Sequence, residues 1–290
     1  MGFSGYEIVA TQMSPSYPFV SDDFLGRIRS MNDRYGIELS CYAANMDCGL
    51  MHGRSLTEDE MLQRAIIDIK SAAKLGCTVM REQYLCGPSV MSKLAPIAEQ
   101  YGVRVGIEIH NPEYPMSPIM QEYLNVFERL QNPYIGFIPD FGCFAVKPNK
   151  PHWDEALRKG ATEEMLKRAE SLRASDVPLT EARRIMIESG ANEAAMGAFH
   201  GMYGFVTFYQ EPDLAGLEHI LPYCIEMHGK FHYIHEDLHE HSIPYDRILP
   251  IIQRSHFDGY IMSEYEDHSA GDTMTMMHRH IAMEKQLLNM

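Results

Sequence analysis

Short apolar segments recur along the chain, and most of them are apolar at nearly every position until their last residues. Such segments are typical of parallel β-strands that are covered on both faces. Seven strands are predicted in this way: GYEIVAT (5–11), IELSCYA (37–43), CTVMRE (77–82), VRVGIEIH (103–110), YIGFIPDF (134–141), YCIEMHGKF (223–231) and GYIMSEYE (259–266).

Helical patterns fill the intervals between these strands. One helix is predicted to begin after Ser21 as its N-cap and to end at Gly36. A second begins with the capping box formed by Thr57 and Glu60 and ends at Gly76. A third, SVMSKLAPIAEQYG, also ends at a glycine. This alternation predicts right-handed βαβ units and a parallel sheet.

The predicted architecture is therefore a (β/α)8 TIM barrel within a single domain that spans residues 1–290. The chain begins almost directly on a strand, so we expect the first β/α unit to be missing or cryptic, which would leave an open sheet edge. Residues 147–210 form one far longer connection with helical patterns. This insertion follows the C-terminal end of a strand. A helical lid over the catalytic face and a peripheral decoration are equally supported interpretations of it.

Composition excludes several classes of function. A net charge of −15 argues against a nucleic-acid partner, because binding to phosphates relies on a surplus of Lys and Arg. No apolar run is long enough to cross a bilayer, and the N-terminus lacks the pattern of a signal peptide. The six cysteines are dispersed without a C-x-x-C pair, so we expect reduced thiols in a cytoplasmic protein.

Polar side chains, most of them acidic or imidazole, gather at the C-terminal ends of the last four strands, where parallel barrels carry their chemistry. They are Glu108, His110, Asp140, Glu226, His228, Lys230, Glu264 and Glu266. Unpaired buried carboxylates are costly, and a cation would explain several of them at the ends of apolar strands. Carboxylate oxygens with one imidazole suit Mn²⁺, Mg²⁺ or Co²⁺ better than a thiolate-rich zinc site.

Each of these residues also has a simpler interpretation. A single strand-end acid such as Asp140 commonly caps the next helix, and a single histidine commonly satisfies a polar neighbour. For Lys230, the simpler interpretation is a salt bridge with Glu226. The histidines beyond the sixth strand are expected to be loop residues: His232, His235, His239 and His241.

Four motifs, GIEIHNP, GFIPDFG, MHGKF and GYIMSEYEDH, resemble those of the xylose isomerase-like TIM-barrel superfamily of sugar isomerases and epimerases. Within that superfamily the chain most resembles the α (catalytic) subunits of bacterial C-glycoside deglycosidases. The resemblance runs from about Gly5 to the end of the chain and includes the insertion. The superfamily has a further strand and helix before a segment like GYEIVATQM, which this chain does not show.

The resemblance implies one divalent metal ion held by Glu108, Asp140, His228 and Glu264, with Mn²⁺ as the first choice and Mg²⁺ or Co²⁺ as alternatives. It also implies an acid–base role for His110. Glu108 and His110 share one face of their strand, so the base would lie close to a substrate bound at the cation.

The implied reaction breaks the C–C bond of a 3-oxo-C-glycoside by abstraction of an α-proton and β-elimination of the aglycone. Lys230 and Glu266 are predicted to bind the substrate. The resemblance also implies a small β-subunit as partner in a hetero-oligomer, while the glycoside itself stays open.

Two other functions stay open. A metal-dependent ketose 3-epimerase or sugar isomerase would use Glu108 and Glu264 as its acid–base pair and would need a small polar pocket. An aromatic aglycone instead needs a wide apolar groove, for which the insertion offers Trp153, Phe199, Tyr203 and Phe205 as walls. A non-catalytic barrel that binds a sugar or a partner ranks last, because no metal ligand is missing. A DNA-repair endonuclease is disfavoured by the acidic charge and by too few zinc ligands.

Overall fold

The computed structural model describes residues 2–46, 53–204, 206–266 and 272–290. Across these residues, seven strands alternate with helices, and each strand lies inside a segment predicted from the sequence. The strands are β1 (Gly5–Val9), β2 (Glu38–Ala43), β3 (Val79–Glu82), β4 (Arg104–Ile109), β5 (Ile135–Pro139), β6 (Met227–Phe231) and β7 (Ile261–Tyr265).

The helices predicted from Ser21, from Thr57 and from the closing glycines begin or end at those residues. They are α1 (Ala10–Met13), α2 (Asp22–Tyr35), α3 (Glu58–Leu75), α4 (Pro88–Tyr101), α5 (Pro118–Leu130), α6 (Lys150–Arg158), α7 (Glu163–Ala174), α8 (Leu179–Glu188), α9 (Glu193–Met202), α10 (Leu214–Ile220), α11 (Tyr245–Gln253) and α12 (Thr273–Leu287), with short 3₁₀ helices at Phe141–Phe144 and Leu221–Tyr223. The Ser21 hydroxyl accepts from the Phe24 amide, and Thr57 and Glu60 form the reciprocal capping box. Gly36 and Gly76 close their helices with φ of +62° and +79°, a conformation that glycine adopts without steric cost.

The strands follow one another around the barrel in chain order. β1 to β5 form one parallel sheet, and β6 pairs with β7 in parallel. Two single bridges, between Phe137 and Cys224 and between Asp140 and His228, join β5 to β6. The barrel is thus continuous from β1 to β7, and the predicted fold class is confirmed.

The described residues contain no hydrogen-bonded ladder between β7 and β1, so the barrel has one open side. Side chains alone cross it, with the Tyr260 hydroxyl 2.7 Å from Glu38 Oε2 and the Ser40 hydroxyl 3.3 Å from Met262 Sδ. A cavity of about 480 Å³ fills this gap, and its wall includes Glu264. Within the described ranges the barrel thus has seven strands and one side that side chains alone cross.

Close packing of β4 on β5 brings two of the predicted metal-ligand positions together. A Cβ added at Gly106 would lie 2.4 Å from Ile138 Cγ1, and one added at Gly136 would lie 2.1 Å from the Tyr223 carbonyl oxygen. Only glycine fits such close approaches. Gly106 pairs with Gly136, and two residues further along Glu108 pairs with Ile138. The ends of the two strands are therefore held side by side.

The insertion consists of four helices, α6 to α9, as the sequence predicts. Its last residues return to the C-terminal face of the barrel. The Asn111 side-chain amide donates to the Thr207 carbonyl oxygen at 2.7 Å, and the Tyr209 hydroxyl donates to the Pro112 carbonyl oxygen. The insertion therefore contacts the loop that follows β4.

Two smaller expectations can be compared with the structure. The cysteines within the described ranges, Cys41, Cys77, Cys86, Cys143 and Cys224, are free thiols, while Cys48 lies outside those ranges. In the ranges described, none of the helices combines the length and the apolar character needed to cross a membrane.

Candidate metal centre and active site

Four strand ends bring the predicted metal ligands into one cluster. Glu108, Asp140, His228 and Glu264 each offer a ligand atom, and these atoms all lie within 4.8 Å of one another. Glu108 lies in β4, His228 in β6 and Glu264 in β7, while Asp140 is the residue that follows β5. Alternation along each strand turns the four side chains inward, so the cluster follows from strand parity and barrel closure.

His228 lies between carboxylates on both sides of its ring. Its Nδ1 is 3.1 Å from Glu108 Oε1 and 3.4 Å from Glu264 Oε2, while its Nε2 is 3.1 Å from Glu7 Oε2. Burial alone would lower the pKa of His228, but these carboxylates outweigh burial and raise the pKa well above its ordinary value. Nδ1 is thus the nitrogen that faces the cluster, and Nε2 is held from behind.

Arg81 keeps Glu108 ionised. The Arg81 guanidinium Nε lies 3.6 Å from Glu108 Oε2, and both side chains are nearly buried. Burial would raise the pKa of Glu108, but Arg81 and the His228 imidazole outweigh it and hold that pKa well below its ordinary range. A carboxylate that stays charged in the interior is the form that binds a cation.

Asp140 uses its two oxygens for different purposes. Oδ1 accepts from the Gly142 amide at 2.7 Å and so caps the 3₁₀ helix that follows β5. Oδ2 faces the cluster, where it is buried and 2.7 Å from the Lys230 ammonium. The capping interpretation and the ligand interpretation are therefore both consistent with this residue.

Lys230 is a centre of charge pairing in the site. Its Nζ lies 2.7 Å from Asp140 Oδ2, 3.3 Å from Glu266 Oε2 and 3.6 Å from Glu264 Oε1. Burial would lower the pKa of Lys230, but these carboxylates outweigh it and raise the pKa, which keeps the side chain an ammonium. Lys230 and Glu266, both predicted to bind substrate, thus lie together at the mouth of the cluster.

The expected salt bridge between Lys230 and Glu226 was wrong. Both residues face the barrel interior, but Glu226 is four residues earlier along the same strand direction and so lies deeper. It groups with Glu7 and Cys41, and both of its carboxylate oxygens are buried with no hydrogen-bond partner in the described part of the chain. Burial and the Glu7 carboxylate raise the pKa of Glu226 to about 8.

The hydrogen bonds of His110 fix one neutral tautomer. Nδ1 lies 2.7 Å from the Asn111 carbonyl oxygen, which can only accept, so Nδ1 carries the proton. Nε2 lies 3.0 Å from the Lys230 ammonium, which can only donate, so Nε2 holds the lone pair. The same nitrogen is 3.7 Å from Asp140 Oδ2. His110 therefore presents an unprotonated nitrogen to the cluster, which is the form that a general base requires.

Two charged residues of the site were missed by the sequence reasoning. Glu7 accepts from His228 Nε2, as second-sphere carboxylates do for metal-binding histidines, and Arg81 pairs with Glu108. Each is a charged residue inside an otherwise apolar strand segment, GYEIVAT or CTVMRE. A charged residue in an apolar strand segment was the sequence signal for Glu7 and for Arg81. This signal does not identify the residue with which each of them pairs.

The four-residue cluster fits a divalent cation. Its donor set is three carboxylates and one imidazole, all within 4.8 Å of one another, and Asp140 Oδ2 and Glu264 Oε2 have His228 and Lys230 as their nearest positive groups. In this structure the positive charges of His228 and Lys230 balance the negative charges of these carboxylates. A divalent cation among them would do the same and leave the imidazole neutral, so the residues present match the group.

The aromatic residues of the insertion have different surroundings. Phe199 is fully buried in the core, and the Tyr203 hydroxyl donates to the Val177 carbonyl oxygen at 2.9 Å. Trp153 lines an open groove, and Phe205 lies outside the described residues. Beyond β6, the histidines predicted to lie in loops do so, and His235 Nε2 is 3.2 Å from His241 Nδ1.

Comparison with known proteins gives concordant results. The family model described as a xylose isomerase-like TIM barrel matches residues 1–286. The 3′-dehydrocarminate deglycosidase alpha subunit of a Microbacterium species is 29% identical over 275 residues, which cover 90% of this chain and 78% of that protein. The C-glycoside deglycosidase alpha subunit of Microbacterium trichothecenolyticum is 30% identical over 283 residues, covering 90% of this chain and 74% of that protein.

Solved structures share the fold at low sequence identity. A D-tagatose 3-epimerase-like protein superposes with a TM-score of 0.56 at 15% identity, covering 100% of this chain and 91% of its own. A xylose isomerase domain protein from Planctomyces limnophilus gives a TM-score of 0.55 at 11% identity, covering 96% of this chain and 87% of its own. These likenesses show the barrel.

Proposed function

The chain belongs to the xylose isomerase-like TIM-barrel family, and from that membership we propose that it is the catalytic subunit of a metal-dependent C-glycoside deglycosidase. Its substrate in this proposal is a 3-oxo-C-glycoside, and its reaction is cleavage of the C–C bond to the aglycone. The observation that carries the proposal is the position of His110, whose Nε2 lies 3.0 Å from the Lys230 ammonium beside the four-residue cluster.

Glu108, Asp140, His228 and Glu264 would hold the metal ion, with Mn²⁺ as the first choice. When bound, such an ion supplies Lewis-acid polarisation of a sugar carbonyl and orients the substrate. Glu7 would keep the His228 ring in place, because Glu7 Oε2 lies 3.1 Å from His228 Nε2. His228 Nδ1 then faces the cluster. Arg81 would keep Glu108 ionised in the empty and the loaded site alike.

The first chemical step in this proposal is proton abstraction at the sugar C2, the carbon next to the 3-oxo group. His110 Nε2 accepts that proton, and the proton on Nδ1 stays bonded to the Asn111 carbonyl oxygen. The electron pair of the C2–H bond moves toward the 3-oxo group. The Lys230 ammonium, at the mouth of the site, lies where it can donate to that developing negative charge.

The second step breaks the bond between C1 and the aglycone carbon. The electron pair returns to form a C1–C2 double bond, and the C1–aglycone pair leaves with the aglycone, which takes up one proton. His110, protonated in the first step, is the residue placed to give that proton back. Atoms and electrons then balance, with an unsaturated 3-oxo sugar and a free aglycone as products.

An epimerase on the same site is the second candidate. Glu108 and Glu264 flank His228 Nδ1 at 3.1 and 3.4 Å, so two carboxylates are available as an acid–base pair. The relatives named as deglycosidase alpha subunits are 29% and 30% identical to this chain, whereas the epimerase-like structure is 15% identical. This difference supports the deglycosidase as the first candidate.

A small partner subunit belongs to the same proposal, because the similar proteins are named alpha subunits. The open side between β7 and β1 leaves strand edges and the Glu264 side chain accessible, with 38% of that side chain exposed. Such an edge is a surface that a β-rich partner can cover.

The test is a product assay. The chain, alone and together with a candidate β-subunit, is incubated with Mn²⁺ and a 3-oxo-C-glycoside, and free aglycone is measured by chromatography. Release that stops with a chelator is the expected result. Absence of release in both preparations, together with exchange of solvent deuterium into a free ketose, would contradict the deglycosidase and support the epimerase.

A further inference from the structure

Behind the site, three side chains join β6 to β7 on the outer side of the barrel. His280 of α12 is fully buried, and its Nδ1 lies 3.0 Å from the Ser263 hydroxyl. Its Nε2 lies 2.8 Å from the Tyr245 hydroxyl, which donates to the Lys230 carbonyl oxygen at 2.8 Å. These hydrogen bonds therefore connect Ser263 of β7 with the backbone of Lys230 in β6.

The donors and acceptors of these three hydrogen bonds follow one direction. A backbone carbonyl can only accept, so the Tyr245 hydroxyl donates its proton to Lys230 and its oxygen accepts from His280 Nε2. His280 Nδ1 then carries the lone pair and accepts from the Ser263 hydroxyl. Burial lowers the pKa of His280 to about 3, so the ring stays neutral and keeps one donor and one acceptor.

The Lys230 carbonyl oxygen points to the side of β6 where β5 has ended. The Met227 amide and the Phe231 carbonyl oxygen bond to the residues that flank β7. Peptide groups alternate in direction along a strand, so the Lys230 carbonyl points the opposite way, toward β5. β5 ends at Pro139, and its last bridge to β6 is at His228. A hydroxyl of α11 bonds the Lys230 carbonyl oxygen instead.

The residue held in this way carries the ammonium of the site. Lys230 Nζ lies 2.7 Å from Asp140 Oδ2 and 3.0 Å from His110 Nε2. Lys230 also pairs with Glu264 in the ladder between β6 and β7. A rotation of the Lys230 backbone would therefore move the ammonium relative to the acid and the imidazole that it contacts.

Ring packing fixes the position of the His280 imidazole. The Phe231 ring stacks on it with centroids 4.0 Å apart and 8° between the ring planes. The Tyr245 ring meets it edge-on, at 5.3 Å and 85°. The imidazole is thus held by both rings and by both of its nitrogens, and a fully satisfied buried network of this kind is rigid.

We propose that Tyr245 and His280 are positioning residues of the site, which hold the Lys230 backbone so that its ammonium faces His110. Both residues act through Lys230 from the outer side of the barrel. The inference rests on the proposed function, in which the Lys230 ammonium donates to the 3-oxo group, and it adds two residues from α11 and α12 to that machinery.

A double-mutant cycle tests whether Tyr245 acts through Lys230. Tyr245→Phe removes only the hydroxyl, and kcat should fall about tenfold while KM changes little. In the Lys230→Met background the same change should have no further effect on kcat, because the ammonium that the hydroxyl positions is gone. Effects on kcat that multiply in the double variant would overturn the inference.

His280 provides a second pair of variants. His280→Ala should lower kcat as Tyr245→Phe does. His280→Gln keeps an N–H donor for the Tyr245 hydroxyl and should recover most of the lost kcat. A kcat in His280→Gln as low as in His280→Ala would contradict a role through this hydrogen bond.

Tyr123→Phe is the matched control. Tyr123 of α5 is also fully buried, and its hydroxyl donates to the Tyr84 carbonyl oxygen. Loss of this hydroxyl should lower Tm about as much as loss of the Tyr245 hydroxyl, but kcat should stay unchanged. An equal fall of kcat in both variants would mean that lost stability alone lowers turnover, and would overturn the positioning role.

An NMR measurement tests the inference without turnover. In protein with ¹⁵N-labelled histidine, the His110 Nε2 resonance should shift in Lys230→Met, because the neighbouring ammonium is lost. Tyr245→Phe should shift this resonance too, and Tyr123→Phe should leave it in place. An unmoved resonance in Tyr245→Phe would overturn the inference whether or not the chain cleaves glycosides. A shifted resonance in a protein that releases no aglycone would instead contradict the proposed function alone.

Discussion

Arg81 and Glu82 lie on opposite faces of β3, and the buried acids beside them behave in opposite ways. On the inner face, Arg81 joins the site cluster, where Glu108 stays ionised. On the outer face, Glu82 packs near Asp68 of α3, and both side chains are completely buried. Burial and mutual repulsion raise the pKa of Glu82 to about 8, and burial raises the pKa of Asp68 to about 7.

The difference lies in the cations that face each group. The site cluster is surrounded by Arg81, Lys230 and His228, all within 3.7 Å of its carboxylates. The outer pair has Arg64 at 3.7 Å from Asp68 Oδ2 and the Tyr17 hydroxyl at 3.0 Å, while both Glu82 oxygens have no hydrogen-bond partner in the described ranges. Burial alone thus makes a neutral acid, and burial with matched cations makes a charged ligand set.

The largest effect is expected from removing a charged ligand. Glu108→Gln takes away one metal ligand and leaves the Arg81 guanidinium buried without its partner. Metal content measured by mass spectrometry after dialysis should fall, and affinity should drop by more than the roughly 10- to 100-fold typical of a lost second-sphere group. Glu226→Gln is the matched control, an equally buried acid of the inner face, and should keep its metal. Retention of metal in Glu108→Gln would refute the ligand assignment.

The next effect concerns the base. His110→Ala should keep the metal but lower turnover by roughly 10²- to 10⁴-fold, because it removes the nitrogen that we propose as acceptor of the C2 proton. Wash-in of solvent deuterium at C2, followed by NMR, should fall in parallel. His235→Ala, in the loop after β6, serves as control. Full activity in His110→Ala would leave Glu108 and Glu264 as the acid–base pair.

The outer pair should contribute to how stability depends on pH, together with the other buried acids of raised pKa, Glu226 and Glu284. The pKa of Glu82 is raised from 4.5 to about 8, so between these values the unfolded chain ionises while the folded chain stays protonated. Stability should therefore fall as pH rises from about 4.5 to about 8, at up to about 1.4 kcal/mol per unit, and then level off.

Glu82→Gln removes the part of that dependence that comes from Glu82. Thermal unfolding at pH 5 and pH 8 should show a smaller loss of Tm in this variant than in wild type. The exposed Glu218, changed to Gln, is the control and should behave like wild type. An unchanged pH dependence in Glu82→Gln would mean that Glu82 is ionised in the fold, and the contrast with the site cluster would disappear.

The smallest effect is expected for Glu7. Glu7→Gln keeps the shape of the side chain but weakens its hold on His228 Nε2. Metal affinity should fall about 10- to 100-fold, as for other second-sphere partners of metal-binding histidines, and excess metal should restore turnover. If turnover stays low at saturating metal, Glu7 has a direct part in the chemistry.

The sequence by itself determined the elements and the four residues that the fold brings together as candidate metal ligands. The run GIEIHNP places Glu108 and His110 on one strand face because side chains alternate with a period of two, and the caps at Ser21, Thr57 and Gly36 fix where helices begin and end. These rules depend only on residues that are close together in the sequence, so a single sequence is enough to apply them. Parity also gave His228, Lys230, Glu264 and Glu266 their common inward direction.

The tertiary structure decided which of these residues are partners. Parity cannot show how deep a side chain lies in a barrel, so the salt bridge expected between Lys230 and Glu226 gave way to pairing with Asp140. Contacts between residues more than 200 positions apart, such as Glu7 with His228, depend on how the strands curve around the barrel. The reason is physical: a pKa, a tautomer or a cation site depends on charges at 3–4 Å, and only the fold brings those charges together.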